Sequence, residues 1–335
     1  MLIQPSNSPS RPWKMSSGFR KHRFSSDITA QANALCQLDN WHGPLAVLQD
    51  FLIIGLSIAA CYAAGWVLYP LAVIVIGSRQ RALATIVHEA AHSTLTQSRT
   101  LSRLLGTFFS GYLIFSTLSA YRRSHVSGHH GRFGDRDHDH DYRYMFGKGI
   151  YSLENRRQVL IELILRPLLL GNVLSYLIYL VKARSFSASN RVERLDNFVL
   201  IAYWGLIVAV SWYAGLLVPL LLFWLVPFLT SFQIIGWFIE LAEHGPLMHN
   251  GVDLHMTRNR HSHWLELALT GMHGENYHLA HHLRPRVPFW RMAELHQILL
   301  RDPEYRQWDA QCGGIFASRN GAPSVVAMLY RRCAT

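Results

Sequence analysis

Nineteen histidines stand in this 335-residue chain, and eight of them fall into three tight clusters. The first is His88-Glu-Ala-Ala-His92, the second His125-Val-Ser-Gly-His129-His130, the third His278-Leu-Ala-His281-His282. On a helix, residues four apart share a face one turn apart, so His88 and His92 can reach one metal ion. In the other two clusters a single histidine precedes an adjacent pair by three or four residues. Helical geometry puts one member of the pair on the single histidine's face and turns the other by about 100°, as a neighbouring metal would require. Imidazole suits zinc, copper, iron and nickel. Eight imidazoles are too many for one ion, so two ions are implied. The first cluster also spells the HExxH zinc-protease motif with Glu89 as general base, but that reading leaves the other two clusters without a role.

These clusters must be held on one side of something, and the rest of the chain says what. Apolar residues make up 50% of the sequence and charged residues only 16%. Phe198 to Ile239 and Phe51 to Ser78 contain no Asp, Glu, Lys or Arg. Such runs exceed what a buried soluble helix needs, and the longer one holds two bilayer crossings of about 20 residues each. The aromatic content of 12% excludes disorder outside the ends. Mean hydropathy is only +0.10, so a large part of the chain must face water.

The pattern predicts an all-α integral membrane protein with four transmembrane helices in two hairpins. The spans run about 45–65, 66 towards His92, 198–217 and 219–240, with short turns near Gly65 and Gly215. Neither turn carries Lys or Arg, so all 32 basic residues lie on one side. By the positive-inside rule both termini and the long middle loop are cytoplasmic. The net charge of +11 is read as this bias rather than as a nucleic-acid footprint. Arg79 and Arg81 would snorkel where the second span leaves the bilayer. Leu104 to Tyr121 and Pro167 to Val181 are apolar but short, and are expected to lie at the interface or re-enter. A crossing by the first would put the first two histidine clusters on opposite sides. Residues 1–44 are expected to form a polar cytoplasmic tail without a secretory signal, 45–300 the membrane domain with a histidine-rich cap, and 301–335 a second cytoplasmic tail. Cys36, Cys61, Cys312 and Cys333 form no CxxC pair and are read as free thiols.

The three histidine boxes, with membrane hairpins between them, resemble those of the membrane fatty-acid desaturase family and its related hydroxylases. Asn276-Tyr277 before the third box, and Leu283-Arg284-Pro285 after it, are similar too. The resemblance implies two non-haem irons that activate O2 and remove hydrogen from unactivated C–H bonds. It makes His88, His92, His125, His129, His130, His278, His281 and His282 iron ligands. Family members often add a ligand after the fourth span, and His244 is the candidate here, with Glu240 one turn back. No haem domain, Rossmann fingerprint or iron–sulfur cysteine set is present in the sequence. Electrons must then come from a separate ferredoxin, rubredoxin, cytochrome or reductase. The basic face suits an acidic carrier or an acyl carrier protein.

Asp135 to Asp141 alternates acids with basic side chains or imidazoles. It is read as a solvated loop whose acids orient ligand histidines. His249, His255, His261, His263 and His273 lack box spacing and are left as surface or supporting residues. Phe223, Trp224, Phe228, Phe232 and Trp237 are expected to face lipid or helix packing. The expected activity is insertion of a double bond into a fatty acyl chain. Oxidation of a small amino-acid-derived metabolite, as in rhizobitoxine-type biosynthesis, is the alternative within the family. A metal transporter is the alternative outside it, disfavoured by the uncharged 198–239 run.

Overall fold

The computed structural model describes residues 19–186 and 188–333. Helices account for the regular structure, and among the described residues only isolated β-bridges occur. Four helices are long and apolar enough to cross a membrane: His42–Ala64, Trp66–His92, Arg191–Tyr213 and Leu217–His244. The first and second are joined at Gly65 (φ +105°) and the third and fourth at Gly215 (φ +70°), backbone conformations that a residue without Cβ adopts most easily. The third span begins seven residues earlier than expected. Asn190 explains this, because its side chain accepts from the Glu193 N–H at 3.0 Å and starts the helix before the apolar run does. The fourth span is interrupted near Pro227 and Thr230, then runs unbroken as a helix over Ser231–His244.

The second span is the axis of the molecule. Of its apolar window 67% is buried, against 17% in the third span. The first and third spans instead turn Leu48, Leu52, Leu56, Ile201, Leu206 and Val210 outward, an apolar surface larger than a water-facing protein carries. The second span meets the fourth at Gly77, where an added Cβ would stand 2.0 Å from Ser231 Oγ and 2.7 Å from the Phe232 nitrogen. Gln80 Nε2 donates to the Trp224 carbonyl at 2.9 Å nearby. Four of the five span-four aromatics, Phe223, Phe228, Phe232 and Trp237, are buried in helix packing, and Trp224 donates its Nε1 to the Leu113 carbonyl.

The two shorter apolar stretches are bent. Arg99–Ile114 and Leu118–His130 meet at 92°, and Arg156–Leu168 and Val173–Ala183 at 76°. Folding back in this way returns His125, His129 and His130 to the level of His88 and His92.

Three expectations are corrected. Residues 1–18 lie outside the described residues, but the rest of the expected N-terminal tail is packed. Ser26–Ala34 is a helix that sets Ile28 and Ala32, with Leu35 just beyond, against Leu279 and Leu295. Three buried apolar residues at helical spacing, with Phe24 and Cys36 partly buried beside them, carry this contact, too few to stand out in a polar stretch. The C-terminal region is packed as well. Tyr305 is fully buried, Val325 and Leu329 enter the core, and Glu266 accepts from the nitrogens of Ile315, Phe316 and Ala317. Finally, Arg79 and Arg81 do not snorkel. Arg79 lies 3.5 Å from the buried Asp50 and donates to the Ala268 carbonyl at 2.6 Å. Arg81 turns inward to Glu275 and Glu240, at 2.9 and 3.3 Å. Their partners are up to 194 residues away, so distance from the helix end was a poor guide.

Candidate metal centre

The nine histidines singled out in the sequence converge on one place. His88 and His92 end the second span, and His244 ends the fourth. His125, His129 and His130 lie on a wide helical turn over Arg122–His130. The third box lies on the helix His278–Leu283. The loop before it is stapled to the first span, where His273 Nε2 meets Asp50 Oδ2 at 2.8 Å.

Two groups result. His88, His92, His125, His130 and His281 form one, and His129, His244 and His282 form the other. His278 joins the second through His244, their Nε2 atoms 2.8 Å apart. Each adjacent pair is thus split between the groups. The wide turn, which repeats near five residues rather than four, pairs His125 with His130 at 3.2 Å between Nε2 atoms. The ordinary helix of the third box pairs His278 with His282, four apart, at 3.1 Å.

Carboxylates stand against the outer nitrogens of four of the nine. His129 Nδ1 donates to the fully buried Asp139, 3.0 Å from each oxygen. His88 Nδ1 lies 3.1 Å from Glu89 Oε1, and His278 Nδ1 lies 3.4 Å from Glu243 Oε2. Asp141 stands 3.5 Å from His125 Nδ1 and is gripped by Arg184 at 2.8 and 3.0 Å. Burial works to raise the Asp141 carboxyl, but the Arg184 guanidinium overrides it and holds the group at about 2. Glu243 is in turn bound by the buried Arg260 at 2.9 Å. Glu89 also accepts from Thr94 Oγ1 and the Phe289 nitrogen, so it is fixed as a support for His88 rather than free as a protease base.

This arrangement fits metal ions. At His88, His129 and His278 a proton held on Nδ1 by the neighbouring carboxylate leaves a lone pair on Nε2, and across the site Nε2 atoms face one another at 2.8–3.3 Å. Lone pairs at that separation repel, whereas nitrogens sharing one ion at about 2.1 Å lie roughly 3.0–3.4 Å apart. His88 Nε2 and His92 Nε2 are buried with no other partner. Burial pushes His278, His281 and His282 well below the usual imidazole range, which keeps them in the neutral, ligating form. Burial acts on His129 in the same sense, yet the Asp139 carboxylate reverses it and the net shift is upward. Phe133 covers the second group, stacked on His282 with centroids 4.6 Å apart.

Both groups open onto a cavity of about 1350 Å³ of empty space, mouth included. Arg81, Glu240, Glu275, Thr85 and Gln233 line it beside Ile114, Leu180, Phe232 and Phe289.

The other histidines lie apart from the nine. His249 packs edge-on against Tyr151, and His255 against Trp308. His263 caps the helix Trp264–Thr270. His261 joins His296 and Asp309 in a separate group, with His261 Nε2 3.0 Å from both Asp309 oxygens and His296 Nδ1 2.9 Å from the Tyr305 hydroxyl. His296 carried no sequence signal, since its partners lie across loops and no spacing links them.

Residues 64–310 match the family described as Fatty acid desaturase. The chain is also 38% identical over 329 residues to the dihydrorhizobitoxine desaturase of Bradyrhizobium elkanii, a match covering 96% of this chain and 93% of that one. Three histidine boxes folded into two facing groups, and a family match over most of the chain, lead to one conclusion: this protein belongs to the fatty acid desaturase family of oxidoreductases.

Proposed function

We propose that the chain is a membrane-bound, O2-dependent di-iron desaturase whose substrate is a small, polar, amino-acid-derived metabolite. The observation that carries the substrate reading is the wall of the cavity, where charged and unpartnered polar groups stand directly below the histidines. The relative from Bradyrhizobium elkanii, named for dihydrorhizobitoxine, supports the same reading. One iron would be held by His88, His92, His125, His130 and His281, the other by His129, His244, His278 and His282. When bound, the irons supply O2 activation and removal of two hydrogens from adjacent carbons. The balance is one O2, two C–H hydrogens, two electrons and two protons, giving one C=C bond and two waters. The two electrons come from a separate one-electron carrier, which the basic cytoplasmic face suits by charge.

The chain's own residues prepare this chemistry. Glu89, Asp139 and Glu243 keep protons on Nδ1 and aim the Nε2 lone pairs inward. Arg184 and Arg260 fix Asp141 and Glu243 so that the imidazoles cannot rotate with them. Phe133 excludes water from one side. The fatty-acyl reading keeps one observation in its favour, the apolar group of Ile114, Leu180, Phe232 and Phe289 in the same cavity. Expression in a bacterial host separates the two. The expected result is about two irons per chain and a new unsaturated polar metabolite, with fatty acids unchanged by mass spectrometry. New double bonds in fatty acids alone would overturn the substrate proposal, and zinc in place of iron would overturn the di-iron assignment.

A further inference from the structure

Two helices carry matching series of residues into the metal centre. Along the second span stand Arg81, Thr85, His88 and His92, and along the fourth Gln233, Trp237, Glu240 and His244, both at intervals of four, three and four. Each series lies on one helix face. The histidines are the upper members. The lower members face the cavity.

There Arg81 Nη2 donates to Glu275 at 2.9 Å and lies 3.3 Å from Glu240. One guanidinium stands against two carboxyl groups, so the cluster holds one more acid than base. Glu275 Oε2 and Arg81 Nε are buried without partners, as are Thr85 Oγ1 and Gln233 Oε1. Thr85 is 7% exposed and Gln233 8%. Buried polar atoms are nearly always bonded, so the three unbonded oxygens in this wall point to a ligand that donates hydrogen bonds.

Resting on the metabolite reading above, we propose that the Arg81–Glu240–Glu275 cluster is the subsite for a protonated amine of the substrate. The carboxylate in excess provides the counter-charge. Glu275 Oε2 and Gln233 Oε1 accept N–H bonds, and Thr85 adds a hydroxyl oxygen. Arg81 Nη2 is held by both acids, so the guanidinium cannot present a two-pronged clamp to an anion. Arg81 precedes His88 by seven residues, and Glu240 precedes His244 by four. The cluster therefore lies roughly 6–10 Å from the histidines along the helix axes. The substrate class follows: a compound whose amine stands that far from the C–C bond to be oxidised. A methylene chain in its place would leave the extra carboxylate desolvated without a partner of its own.

Calorimetric titration of the iron-loaded protein in detergent tests this with three small probes, n-pentylammonium, pentanoate and 1-pentanol. Pentylammonium should bind at least about tenfold more tightly than either other probe, the low end for a charged hydrogen bond. Glu240→Gln should remove most of that preference and Glu240→Asp restore part of it, with iron content and thermal midpoint checking the fold. Glu275→Gln provides a second variant should the first lose iron. Equal binding of the three probes, or a preference that survives both glutamine variants, overturns the subsite. If the subsite fails while an unsaturated polar product still forms, the metabolite reading stands without it. If the ammonium preference holds while only fatty acids are desaturated, the metabolite reading falls, and the cluster binds an ammonium group but is not a substrate subsite.

Discussion

Asp139→Asn isolates the contribution of one supporting carboxylate. Asp139 is fully buried, and both its oxygens lie 3.0 Å from His129 Nδ1. It also accepts from the Asp141 and Tyr142 nitrogens at 3.1 and 3.0 Å, capping the helix His140–Gly147. Asparagine is as good a cap as aspartate, so the helix should persist. What changes is the partner of His129. The amide turns an N–H towards Nδ1 or offers a weaker neutral acceptor, and the first arrangement moves the ring proton to Nε2, where it blocks ligation. Loss of such a support weakens metal affinity by about 10–100-fold, or roughly 1.4–2.8 kcal/mol. The assay is iron retention against a graded chelator series, with circular dichroism as the fold control and Asp135→Asn as the comparison. Asp135 pairs with the half-exposed His138 instead, and its variant should hold iron as the native protein does. If Asp139→Asn retained iron equally well, the carboxylate would not be setting the His129 tautomer, and the lone-pair argument for the second group would fail.

Three further outcomes are expected. His244→Ala should lose iron and most activity, whereas His249→Ala, whose ring packs on Tyr151 outside both groups, should keep both; equal tolerance of the two by metal analysis would remove His244 from the ligand set. Gly77→Ala should lower thermal stability by about 1–3 kcal/mol, because its Cβ meets Ser231 Oγ at 2.0 Å; an unchanged melting profile in detergent would contradict the close approach of the second and fourth spans. Single cysteines at the exposed positions Thr100, Ser152 and Ser318 should label from one side of the membrane and one at Ala214 from the other, and a split among the first three would refute the four-span topology.

What was legible in the sequence was whatever depends on short spacing. His88 and His92 four apart, and the paired histidines of the other boxes, announced a metal centre because one helical turn brings them together. The uncharged runs announced the spans. Long-range pairing was not legible. Nothing near Arg79 or Arg81 in the sequence points to Asp50 or Glu275, so by position alone both arginines read as interfacial. The helix Ser26–Ala34 was hidden for a similar reason, as its contacts with Leu279 and Leu295 lie some 250 residues away in the chain. The choice of wide turn over ordinary helix at Arg122–His130 also had no sequence signature, though it decides which histidine of the pair serves which group.

The matching helical series place an unusual constraint on how the chain can change length. Each residue of a helix advances the face by 100° and 1.5 Å. Deleting one residue between Arg81 and His88 would carry the lower polar side chains out of phase with the histidines, although every one of them would still be present. The same holds between Gln233 and His244. Insertions and deletions in this protein should therefore collect in the connecting segments, such as those around 148–155 and 245–252, and spare these two intervals. Changing how far below the metals a substrate is held would take a step of three or four residues in one helix, a whole turn at a time. Substrate reach in such a scaffold would shift in increments of about 5 Å rather than by gradual adjustment.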